Sequence, residues 1–181
     1  MATEIIRPNS FIYKSSSNIK DSDGAYTYYQ VVDETTANDS DYISTISHSQ
    51  EVIMGLSSPS ISSGIISSVT LFARCWHESA SYTGYNNVGC YIGGSRYMGT
   101  LNHTTLLPVL YSQSWSLNPS NGLSWLLSDL TKLGFIIILD GTFSFMQDTR
   151  TFCSQAYASI NYTSTETTYL LRKLVKTKQI P

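Results

Sequence analysis

Four acids stand close together in "VVDETTANDSDYIST": Asp33, Glu34, Asp39 and Asp41, out of 13 acidic residues in 181. Carboxylates at that density suit three kinds of chemistry. General acid/base work needs two of them in different surroundings, one in an apolar pocket that raises its pKa. Calcium needs about six to eight hard oxygens, to which Asn38 would add one. A turn needs only Asp and Asn side chains that hydrogen-bond their own backbone. The neighbours here are Thr, Ser and Asn, with no sign of an apolar pocket, and the Gly and closing Glu of an EF-hand are missing. "ANDSD" therefore reads as a tight connection between "YQVV" and "YIST", with neither a metal nor a catalytic pair expected.

Cys75 and His77 would point the same way along a strand, and Cys90 is a third candidate zinc ligand, but a second close pair is missing. A reduced cysteine is most often a small buried hydrophobe. Three cysteines with no C-x-x-C give no disulfide framework and suit a protein assembled in cytosol. His48 and His103 sit near Ser and Thr without a G-x-S-x-G or Cys/His signature, so no catalytic residue is expected. "YIGGSRYMG" reads as a hairpin rather than a phosphate loop, and no cofactor is implied. A net charge of -2 gives no footprint for nucleic acid. "GFIIIL" is too short to cross a bilayer, and "MATEIIRPNS" carries no signal-peptide pattern, so no membrane partner is expected.

The elements that would position these groups are strands. Ser, Thr, Tyr, Ile and Val dominate, 13 Tyr stand against 6 Phe, and only 13% of the chain is charged. In "SSVTLFARCWHES", Val69, Leu71, Ala73 and Cys75 share one face; Thr70, Phe72, Arg74 and Trp76 share the other. "NNVGCYIGGSRYMGT" predicts a hairpin turning at Gly93-Gly94. "VLYSQSWSL" predicts a strand with Val109, Tyr111, Trp115 and Leu117 packed and its serines wet. "FIIIL" and "FSFM" predict strands around an Asp140-Gly141 turn. "TFCSQAYASINYT" puts Phe152, Ser154, Ala156, Ala158, Ile160 and Tyr162 on one face. "SFIYK", "YTYYQVV", "DYIST" and "EVIMGL" predict shorter strands, and "SSPSISSG" a loop. Leu126, Leu130 and Leu133, with Ser124 as cap and Gly134 as stop, predict one helix of about ten residues over 124–133. The sum is an all-β, jelly-roll-like antiparallel sandwich with one short helix. Its tyrosines raise saccharide binding, with "CWHESASYTGYNN" and "YTYYQ" as candidate aromatic platforms.

In order, "IIRPNS", "VVDE" with "DSDYIS", "VTLFARC", "YIGGSRYMG", "SWSLNPSNGLSWLLSDLTKLGF" and "SQAYASINYT" resemble a family of β-sandwich virion proteins of tailed bacteriophages and prophages, over roughly residues 5 to 163. The resemblance implies a jelly-roll domain over 1–163 and a non-enzymatic structural role in the virion. That role would be a capsid decoration or head-associated protein, oligomeric in the particle and contacting other virion proteins. The alternative is a tail-fibre or tail-tip module that binds a host-surface saccharide. Residues 164–181 outrun the match. Tyr169, Leu170, Leu171, Arg172, Lys173, Leu174 and Lys176 make that extension both apolar and basic, as a docking arm on a partner would be.

Overall fold

The computed structural model describes residues 1–22, 24, 28–80, 84–141 and 149–164. The elements are β1 (Ala2–Ile6), β2 (Pro8–Lys14), β3 (Lys20–Asp21), β4 (Ile43–Thr45), β5 (Gln50–Leu56), β6 (Ile65–His77), β7 (Tyr85–Ile92), β8 (Ser95–His103), β9 (Val109–Trp115), α1 (Leu127–Leu130), β10 (Leu133–Asp140) and β11 (Thr151–Thr163). They form an antiparallel sandwich. The first sheet runs β3-β4-β11-β6-β9, with β1 also paired to β11; the second runs β2-β5-β10-β7-β8. Val69, Leu71, Ala73 and Cys75 of β6 lie in the same core as Val52, Met54, Val88, Cys90, Phe135, Ile137 and Leu139 of the second sheet. The hairpin turns at Gly93 and Gly94, both at positive φ, as a two-residue β-hairpin of glycines requires.

Several elements differ from the sequence pattern, each for a local reason. The helix is a single turn of four residues, Leu127–Leu130, and Ser124 does not cap it. Instead the Asp129 carboxylate accepts from the Leu126 N–H at 2.9 Å. Leu133 and Gly134 belong to β10, because the β-branched run behind them extends the strand backward. Trp125 is buried, donating from Nε1 to the Trp115 carbonyl at 3.1 Å. Along β11 a bulge between Cys153 and Gln155 inverts the alternation. Cys153 therefore joins Ala156, Ala158 and Ile160 in the core, while Phe152 stacks on Trp76 outside it. Val109 and Leu117 are exposed, since β9 is an edge strand and ends at Trp115. Residues 28–32 form turns rather than a strand, with Tyr28, Val31 and Val32 sunk into the core. "FSFM" at 143–146 lies outside the described residues.

The buried turn fills a gap. One edge of β11 carries β4 at Thr151–Cys153 and β1 at Ala158–Tyr162. Between them the Ala156 N–H donates to the Val32 carbonyl at 2.7 Å, and Gln155 Nε2 to the Glu34 carbonyl at 3.0 Å. The backbone groups of an open sheet edge are thus satisfied by a loop.

Candidate binding face

The acidic segment follows directly from that plug. The Asn38 side chain caps its own turn, accepting from Ser40 N at 3.1 Å and donating to Asp41 Oδ2 at 2.6 Å. Asp39 reaches the outer face of the first sheet, where Arg74 grips it through Nε at 2.8 Å and Nη2 at 2.9 Å, and Ser154 donates to it at 2.6 Å. Those bonds hold its carboxyl below the usual carboxylate range. Glu34 is the opposite case: burial, then the charge and hydrogen bond of Asp41, push its carboxyl up to about 7. Burial also raises Asp33. Asp39 is thus committed to Arg74 while Glu34 and Asp41 face each other, and among the described residues no group of three or more His, Cys, Asp or Glu is placed to share a metal ion.

Cys75 lies across β6 and β11 from Cys153, whereas Cys90 belongs to the second sheet. Burial raises both Cys75 and Cys90, the latter to about 12, so these thiols stay protonated and inert. The His77 imidazole pairs with Thr104 Oγ1 at 2.9 Å, and that of His48 with Asp140 at 2.8 Å.

Aromatic rings gather on the outer face of the first sheet. Phe72 stacks on Tyr157 with centroids 4.8 Å apart, Trp76 on Phe152 at 4.9 Å, and Tyr42 meets Phe152 edge-on at 5.0 Å. Arg7 covers Tyr157 at 5.4 Å. These rings are consumed in packing on one another and under Arg7.

The second sheet offers a different surface. Three rows of its outward residues cross the strands at the middle of the face. Arg96, Tyr91, Gly134, Gly55 and Ser10 make the first; Met98, Gly89, Ile136, Ile53 and Tyr13 the second; Leu101, Asn87, Ile138 and Glu51 the third. Glycines let neighbours lie low on the sheet. A Cβ on Gly134 would sit 3.2 Å from that of Tyr91, and one on Gly89 2.7 Å from the Met98 sulfur.

Arg96 on edge strand β8 bonds Glu51 on β5, Nε to Oε1 at 2.8 Å and to Oε2 at 3.1 Å. Its guanidinium also lies over the Tyr13 ring of β2, the opposite edge, at 5.7 Å. On a flat sheet β8 and β5 are about 14 Å apart and the two residues lie two rows apart, beyond what their side chains span together. The sheet is therefore coiled along this diagonal, and along it the outer face is concave. Ile53 and Ile136 form the floor, 1% and 0% exposed although both point away from the core cluster. Tyr13 and Tyr91 flank that floor. Asn87, on the row of Glu51, has a buried side-chain oxygen with no hydrogen-bond partner among the described residues.

This groove was not among the expected sites. Tyr13, Glu51 and Arg96 are remote in sequence, and only strand register joins them. One signal was present: the unbroken apolar run "FIIIL" implies a strand covered on both faces. Of the expected platforms, Trp76 packs on the first sheet and Tyr28 is in the core. Tyr85 alternates with Asn87, Gly89 and Tyr91 along β7 and so shares the outer face of the second sheet, one row beyond Asn87, where it packs against His103. Tyr26, Tyr82, and the arm residues Tyr169 to Lys176 lie outside the described residues.

No family model and no curated protein sequence matches this chain. Among solved structures it is similar to TmCBM61 in complex with β-1,4-galactotriose, with a TM-score of 0.44, 8% identity and 86% of each chain covered. It is similar to the CBM35 from Cellvibrio japonicus Abf62, with a TM-score of 0.43, 12% identity, and 90% of this chain and 95% of that one covered. The CBM22-1 xylan-binding domain from Paenibacillus barcinonensis Xyn10C gives 0.44, 8%, and 88% and 96%. These are likenesses of sandwich architecture, at identities that fix neither a site nor a ligand.

Proposed function

We propose that the chain is a non-catalytic binding module whose ligand is a saccharide lying in the concave face of the second sheet. The observation that supports this is the pairing of tyrosine rings with charged and amide groups around one apolar floor. The C–H face of a pyranose ring meets the electron-rich face of an aromatic ring, and Tyr13 and Tyr91 stand on either side of Ile53 and Ile136. Sugar hydroxyls need donors and acceptors, which Asn87 supplies, as does Glu51 once its ion pair opens. An oligosaccharide array followed by titration of the best binder tests this. Tyr91→Ala should lose binding while its melt stays cooperative.

A second reading is a structural role in a tailed-phage particle, as the sequence resemblance implies. Exposed Leu106, Leu107 and Leu110, gathered at the start of edge strand β9, favour a protein partner for that edge. Many copies of the chain on an icosahedral shell, seen in a particle map, would favour that reading. The two readings meet in a tail-fibre module that binds a host-surface saccharide.

A further inference from the structure

Resting on the saccharide reading, we infer that Arg96 is a latch: its side chain itself occupies the groove, and a saccharide gains the site by displacing it. The guanidinium crosses the groove from β8 to reach Glu51 and the Tyr13 ring. In doing so it stands where a ligand would stack on Tyr13, and the isoleucine floor beneath is hidden from solvent. Nothing else in the fold needs this contact, because β8 and β5 are not neighbours and each is already paired within the sheet. The latch is also built to release. The Arg96 side chain is 48% exposed and Glu51 13%, and an ion pair with one partner half in water is weak and sensitive to salt. A planar cation on a tyrosine face is likewise a modest attraction at an exposed site. A groove closed most of the time lowers apparent affinity by its open fraction, and removing the closure restores it.

The sign of one substitution separates a latch from an ordinary ligand contact. Arg96→Ala should bind the best array oligosaccharide more tightly than the parent, by roughly three- to tenfold. Glu51→Gln should move the same way by less. A loss of affinity in Arg96→Ala would overturn the latch and make Arg96 a ligand contact. A second readout needs no saccharide: the dye anilinonaphthalene sulfonate should fluoresce more with Arg96→Ala, whose apolar floor is open, than with the parent. The dye should also bind the parent better as salt is raised, with no such rise in Arg96→Ala. If no oligosaccharide binds any variant but the dye follows this pattern, the latch stands and the saccharide reading fails. If the dye responds equally to parent and variant, at every salt concentration and with both melts cooperative, the latch is wrong.

Discussion

Replacing Glu34 by Gln should remove most of the protein's loss of stability between about pH 5 and about pH 8. In the fold, burial and then Asp41 hold the Glu34 carboxyl at about 7, against 4.5 for the free group. A carboxyl raised in this way stabilises the folded state fully below pH 4.5, and that stability is lost as pH rises through about 7. At about 1.4 kcal/mol for each tenfold change in proton affinity, the upper limit is about 3 kcal/mol. Glu34 is only partly buried, so solvent screening reduces this to about 1–2 kcal/mol. For a chain of this size each kcal/mol moves the melting midpoint by roughly 2–4 °C. The amide of Gln carries no charge and can still hydrogen-bond Asp41. Thermal melts of parent and variant across the window should show the parent falling by several degrees while Glu34→Gln stays nearly flat. Two small slopes remain in the variant: Asp33, also raised by burial, gives one of the same sign, and His77, lowered by burial, one of the opposite sign. Parallel pH dependence in the two proteins would show that Glu34 is not the group that titrates in this window.

Other outcomes follow from the same geometry. Gly134→Ala places a Cβ 3.0 Å from the Met54 carbonyl oxygen and 3.2 Å from the Tyr91 Cβ, and should cost about 1–3 kcal/mol in urea unfolding. Asp39→Ala removes both Arg74 bonds and the Ser154 bond. Because the ion pair is part-exposed, it should cost only about 1 kcal/mol, with faster proteolysis within residues 33–41 as the second readout. Melts with and without a chelator of divalent cations should superimpose, since Asp39 is committed to Arg74 and Asp41 to Asn38; a drop of several degrees on chelation would contradict this.

Much of the sandwich was legible because side-chain alternation is a property of the strand itself. Val69, Leu71, Ala73 and Cys75 fell on the core face, and Gly93-Gly94 marked a turn, with no tertiary information needed. Where a distant partner set the geometry, the pattern misled. The bulge after Cys153 lies beside the gap that Val32 and Glu34 fill from more than a hundred residues away, so the face of Phe152 could not be read from β11 alone. The leucines of 126–133 carry a helical period, yet Leu133 and Gly134 are pulled into β10 by pairing with β7 and β5. Tyr28, Val31 and Val32 look like strand residues because they are apolar; they are apolar because they plug the core. The acidic turn was read as a turn, but its anchor on Arg74 was invisible, since nothing in the local sequence ties Asp39 to β6. The groove was hidden most deeply: its concavity arises from the coil of a whole sheet, a property of five strands together.

Calorimetric titration of two variants with the best oligosaccharide from an array decides whether the concave face of the second sheet holds a saccharide. Tyr91→Ala should weaken binding about tenfold or more, the loss expected when a stacking ring goes. Trp76→Ala, which alters the outer face of the first sheet, should bind like the parent. Loss of binding in Trp76→Ala with none in Tyr91→Ala, or no binding by the parent across the array, would rule out a saccharide site on the second sheet.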